Sequence, residues 1–148
     1  MKTSIINLML VLTLVVMAGC ASTVPMASNE QDVASKTFKA PSPNMAGIYI
    51  YREGAFGKAL KKKIQIDGVV IGETAYKTYF HKEIAPGPHT LATESEFGDN
   101  TLPFSADAGK NYYFEQSIKI GVFVGGSRID TVSEAVGQRG VLECKEAQ

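Results

Sequence analysis

This sequence predicts an all-β fold, an antiparallel β-sandwich with at most one short helix. Three observations carry that expectation. Short runs of alternating apolar and polar side chains recur along the chain, punctuated by Gly, Pro, Asn and Asp. Asp67-Gly68 sits between Ile64 and Ile66 on one side and Val69 and Ile71 on the other, the pattern of a tight hairpin. No strand–helix–strand rhythm appears, so a parallel sheet with helical crossovers is not indicated.

Taken in order, Gly47 to Arg52 reads as the first strand. Ile48 and Ile50 alternate with Tyr49 and Tyr51, and all four are β-formers, so both faces are candidates for burial. Gly54 to Gly57 breaks the pattern as a loop. Lys62 to Thr74 is the clearest hairpin, because Asp-Gly supplies the positive φ angles of a type I′ turn. In that register Ile66 faces Val69 and Ile64 faces Ile71, all on one face. Tyr76 to Ile84 and Pro88 to Glu94 read as a second hairpin about Pro86-Gly87, with Phe80, Ile84 and Leu91 on the buried side. Glu94 to Thr101 is polar and turn-rich. Leu102 and Phe104 flank Pro103, which belongs on an edge strand.

Tyr112 to Ile120 is the longest predicted strand, and Gln116 interrupts its apolar side. Gly121 to Gly126 follows as a glycine-flanked apolar tip, and Arg128 to Val132 is a candidate return strand. Ser133 to Gln138 has the make-up of one helical turn, with Ser133 as N-cap and Glu134 beside the positive end. Gly137 and Gly140 are expected to end it, and Val141 to Lys145 to form a last strand.

The N-terminus predicts location. Lys2 precedes Ile5 to Met17, which is apolar apart from Asn7 and Thr13. That run is shorter than the roughly 20 residues a membrane-spanning helix needs, and it matches a signal-peptide core. It ends in Met17-Ala18-Gly19-Cys20. Residues 1–19 are therefore expected to be a signal peptide. Residues 20–44, rich in Ser, Pro and Asn, are expected to be a flexible tether, and 45–148 the β domain. A tether of about 24 residues would have a reach on the order of 25–30 Å.

Composition excludes some functions. Of 15 Lys and Arg, Lys2 lies in the leader, leaving 14 against 15 Asp and Glu. A chain so close to neutral offers no electrostatic case for nucleic acid. Lys61-Lys62-Lys63 reads as a solvated strand start that discourages edge-to-edge pairing. The apolar neighbours of Cys144, Val141 and Leu142, suggest a small buried side chain.

No catalytic or metal-binding constellation stands out, and no cofactor is implied. His81 and His89 would lie on opposite faces of the expected hairpin, roughly 10 Å apart along the strand. Glu94, Glu96 and Asp99 could meet a hard cation, but ordinary loop solvation explains them. Gly121 to Gly126 lacks the Lys and the strand–loop–helix setting of a phosphate loop. The remaining candidates are apolar tips, Ala55-Phe56 and Val122-Phe123-Val124. They are expected either to fold back over the core or to touch a partner or the lipid surface.

Three resemblances sharpen these readings. Met17-Ala18-Gly19-Cys20 resembles the lipobox of bacterial lipoproteins, which implies a Cys20 thiol carrying diacylglycerol and a further acyl chain on its amine. Ala21, where an inner-membrane retention signal typically has Asp, implies the periplasmic side of the outer membrane. Ile66 to Gly72 with Ile84 to Leu91 resembles the PEGA-type surface module, an immunoglobulin-like or prealbumin-like sandwich. The whole, with Tyr112-Tyr113-Phe114 and the late glycine-rich segment, resembles short bacterial lipoproteins carrying a domain of unknown function. The expectation is a lipid-anchored, non-enzymatic module for another envelope component. The alternatives are an envelope enzyme using Cys144 and a purely structural or stress-related surface lipoprotein.

Overall fold

The computed structural model describes residues 23–148. The expected signal peptide and Cys20 lie outside the described residues. The chain folds as a helix α1 (Asn29–Ser35), eight strands β1 (Ala46–Arg52), β2 (Lys62–Ile66), β3 (Val69–Thr74), β4 (Thr78–Ile84), β5 (Gly87–Ser95), β6 (Gly98–Ala106), β7 (Asn111–Lys119) and β8 (Gly126–Val132), a helix α2 (Glu134–Leu142), and a short strand β9 (Lys145–Glu146). A five-stranded sheet has the order β8-β7-β1-β4-β9, and a four-stranded sheet the order β3-β2-β5-β6. This is the β-sandwich that the alternating runs predict.

The strand β1 explains the arrangement. Ile48 and Ile50 turn inward and join Phe80, Phe114, Ile64 and Leu91 in an aliphatic and aromatic core. Tyr49 and Tyr51 turn the other way and meet Tyr79, Tyr113, Val141 and Cys144 under the helices. Every residue of β1 is thus buried. That is what unbroken β-formers on both faces require of a central strand.

Several expectations are corrected. The sheet containing β1 is mixed, since β1 pairs in parallel with β7 and β4 in parallel with β9. The strands β4 and β5 do not form a hairpin. The first pairs with β1 and the second with β2 and β6. Phe80, Ile84 and Leu91 do converge, but across the space between two sheets rather than along one. A shared apolar face looks the same in sequence in either case. Glu94 to Thr101 is the tight connection of a β5–β6 hairpin, with Ser95 opposite Gly98. The strand β6 is an edge, as Pro103 required.

The Asp67-Gly68 turn forms as predicted, with φ of 52° and 80°. Ile66 faces Val69, but Ile64 faces Gly72, because a bulge leaves Ile71 over. The cause is packing. A Cβ on Gly72 would lie 2.6 Å from Cζ of Phe80, so the strand bends over that ring only with glycine there.

The described residues hold two helices, not one. Ser133 stands at the N-cap of α2 without a side-chain cap bond, and the helix runs through Gly137 and Gly140 to Leu142. These glycines do not end it; they let it lie directly on the sheet. A Cβ at Gly137 would fall 2.2 Å from Cβ of Tyr113, and one at Gly140 would fall 2.1 Å from Cε2 of Tyr51. The expected last strand is consequently the end of α2 followed by Lys145–Glu146.

The expected tether is also corrected over its described part. Val24 is buried in the core, and Met26 bridges Ala147. The N-cap Ser28 accepts from the Gln31 N–H, and α1 lies over the five-stranded sheet. Buried Asp32 accepts from the Glu146 N–H at 3.0 Å and from the Tyr79 hydroxyl at 3.0 Å. Lys36 and Lys145 pair with it at 3.1 and 3.3 Å. Burial raises the Asp32 carboxyl, but these donors outweigh it and hold it below the usual range. A polar-looking segment therefore docks through the Asp32 carboxylate together with buried Val24 and with Phe38 packed on Tyr49 and Tyr113, which composition does not reveal.

Candidate interaction surface

The two ends of the sandwich differ. One end, the apolar pole, collects the loop 53–61 after β1, the β3–β4 turn, the β5–β6 turn and the loop 120–125 between β7 and β8. The parallel pairing of β1 with β7 puts their outgoing loops together, and the antiparallel partners return from the same end. Its tips are apolar and bare: Phe97 is 81% exposed, Ile120 86%, Val122 79% and Phe123 83%. Phe56 and Val124 are exposed beside them. Phe56, Val122, Phe123 and Val124 are all exposed, so Phe123 does not fold back over the core.

Bound charges hold these loops in shape. The Glu96 carboxylate, at the β5–β6 turn, accepts the Val122 N–H at 2.6 Å, the Val124 N–H at 3.2 Å and the Phe123 N–H. Desolvation raises its pKa, yet the three amides together hold it below the ordinary carboxylate value. A Cβ on Gly121 would collide with the Val124 carbonyl and with Glu96, so the tight loop needs glycine. Behind the other loop, Arg52 is wholly buried. It donates to the Gly57 carbonyl at 2.6 Å, the Leu60 carbonyl at 2.8 Å and the Thr74 carbonyl at 3.4 Å. Its Nε has no partner, and burial lowers its pKa.

A polar network beneath this end ties the two sheets. Gln116 on β7 donates to Thr93 on β5 at 2.7 Å and accepts from Thr74 on β3. Thr93 lies 2.7 Å from Ser127 of β8, which donates to the Glu94 carbonyl at 2.7 Å. Gln116, which breaks the apolar alternation in sequence, is thus satisfied inside the core.

The other singled-out residues fall elsewhere. His81 and His89 sit on strands of different sheets, and no cluster of metal-ligating side chains occurs among the described residues. His89 bonds Asp67 at 2.6 Å and the Ala85 carbonyl at 2.7 Å, clamping two turns at the opposite end. Glu94 and Asp99 engage Lys63 and Gln65. Lys61 and Lys63 pair with Glu73 and Glu94, so the lysine run is partly neutralised. Cys144 is buried beside the Arg52 carbonyl, and burial pushes its thiol up to about 12. A group so far from its thiolate form is a poor nucleophile.

Sequence reading missed Phe97, Ile120 and Arg52, and it assigned Glu96 to ordinary loop solvation rather than to the amides of the 120–125 loop. Phe97 had a usable signal, since a side chain in a two-residue turn has no core to enter. It also missed a Ser35–His81 contact of 3.2 Å, made between α1 and β4. His81 stacks on Tyr49 with ring centroids 4.3 Å apart, and burial lowers its pKa. No carboxylate hydrogen-bonds its ring among the described residues, so the pair lacks the orienting acid of a hydrolytic triad.

Fold and surface together define a β-sandwich scaffold that presents an apolar end. Residues 42–127, more than half of the chain, match the family described as protein of unknown function (DUF2846), and the chain belongs to that family. An uncharacterized protein of Haemophilus influenzae is 44% identical over 146 residues, covering 99% of this chain and 83% of that protein. No solved structure matches.

Proposed function

We propose that this protein is a lipid-anchored envelope lipoprotein that serves as a non-enzymatic binding or interaction module. It is held by acylated Cys20 and faces the periplasm from the outer membrane. One observation carries the reading: Met17-Ala18-Gly19-Cys20 closes an apolar run too short to span a bilayer. Two or three acyl chains on one residue make attachment effectively permanent, whereas one chain holds only marginally. The likeness of Ile66 to Gly72 to the PEGA-type surface module supports this reading, and the Asp67-Gly68 turn within that stretch has positive φ at both residues.

The test is the mass and N-terminus of the protein purified from membranes. The expected mature chain begins at acylated Cys20 and stays with membranes through a high-salt wash. A chain beginning at Met1, or an unmodified thiol at residue 20 with release into salt, would sink the proposal. The thiol-enzyme alternative is separated by reaction of the folded protein with a thiol reagent. Buried Cys144 is expected to resist until the chain unfolds.

A further inference from the structure

We infer that the apolar pole is a lipid-contacting surface, and that the anchored domain stands on it, against the headgroup region of the bilayer. The inference rests on the lipid anchor at Cys20. Its other supports are geometric.

The first is chain length. Only three peptide links separate Cys20 from Thr23, a contour of about 10 Å. The described chain is docked from there on, so no long tether intervenes: Val24 is buried, and Met26 bridges Ala147. Thr23 and Val24 line one shallow pocket with Ala75, Tyr76, Lys77 and Thr78. Those residues are the β3–β4 turn, and the Lys77 N–H donates to the Arg52 carbonyl at 2.8 Å. Arg52 in turn carries the 53–61 loop. The anchor therefore enters at the apolar pole, and a lipid at residue 20 brings this end, not the other, to the membrane.

The second is chemistry. Phe97, Ile120, Val122 and Phe123 project from loops fixed by Glu96, so they need not reorganise to enter lipid. Exposed Lys58 and Lys119 lie in or beside the same loops, and neither makes an ion pair among the described residues. Apolar tips with two exposed lysines beside them suit an anionic lipid interface, where such groups enter about 5–10 Å. The other exposed apolar side chains lie outside these loops: Val69 and Val70 on edge strand β3, Met26 before α1, Val33 on α1, and Val136 and Leu142 on α2.

The experiment uses the full lipoprotein, reconstituted in phosphatidylethanolamine–phosphatidylglycerol vesicles. An environment-sensitive fluorophore is placed at Phe123→Cys and, as a control at the opposite end, at Lys110→Cys. Phe97→Cys repeats the measurement should Phe123→Cys fold poorly. The expected result is blue-shifted emission at 123 and 97, quenched by nitroxide-labelled lipid, with neither effect at 110. Equal emission and equal iodide quenching at all positions, with the protein still membrane-bound after a salt wash, would overturn the inference and leave the anchor standing. Release of the protein into salt would overturn the anchor and this inference together. A blue shift that lipid nitroxide does not quench, and that is lost on dilution, would assign the surface to a second copy of the chain and overturn lipid contact.

Discussion

At one end of the sandwich, turns close by local geometry and exposed ion pairs. Asp67-Gly68 and Gly109 turn on positive φ, Asp107 pairs with Lys110 at 2.8 Å, and His89 clamps Asp67. At the other end, two of the loops, 53–61 and 120–125, are longer, and two charges grip their backbones. Arg52 takes carbonyls from beneath, and Glu96 takes amides from the side. The difference shows how a protein can keep apolar side chains exposed in a defined loop. When polar groups hold the backbone, burial of side chains is not needed to order it. Phe97 and Phe123 then contribute little to folding and are left for contact with something else.

Removing the arginine should break this comparison most severely. Arg52→Leu leaves the Gly57 and Leu60 carbonyls without their donor and should cost about 2–4 kcal/mol in urea unfolding. Amide exchange should quicken across 53–61, while the Asp67-Gly68 turn stays protected. Unchanged exchange in that loop would mean Arg52 is not its anchor.

A smaller, local effect is expected from Glu96→Gln. One neutral amide cannot accept three N–H groups as a carboxylate does, so Val122, Phe123 and Val124 should lose exchange protection with little change in the unfolding midpoint. The same loss should appear with acid. A carboxyl held below 4.5 in the fold contributes stability above that value, and loses it as pH falls through its lowered folded value.

The opposite end should respond to pH with the reverse sign. The bond to Asp67 raises the His89 pKa above 6.5. Its contribution is therefore fully present below 6.5 and fades as pH rises through the folded value. Burial displaces His81 the other way, so the two imidazoles should titrate on opposite sides of 6.5 by NMR. Coincident titrations would contradict both assignments. Smallest of all, Phe97→Ser with Phe123→Ser should leave stability within about 0.5 kcal/mol, as exposed sites do. A large fall in melting temperature would show that the tips are structural.

How much of this was legible depends on how local the cause is. The Asp67-Gly68 turn, the edge position of Pro103 and the double burial of β1 follow from neighbouring residues alone. The β4–β5 pairing, by contrast, was misread because Phe80, Ile84 and Leu91 satisfy one apolar face whether they share a sheet or face each other across two. The segment before β1 was misread because its docking rests on a few scattered residues, buried Asp32 and Val24 and the packed Phe38, among mostly polar neighbours. Gly137 and Gly140 punctuate the sequence like helix stops, and only the tyrosines beneath them reveal close packing.

By itself, then, the sequence determined the β-sandwich class, an apolar run that ends at Cys20 and a near-neutral charge, because period, turn chemistry and charge are properties of adjacent residues. Tertiary structure alone decided that loops far apart in the chain share one end, that Glu96 and Arg52 hold them, and that the described N-terminal segment enters there. Those facts depend on which strands pair and in which direction, and strand pairing is set by the packing of the whole core.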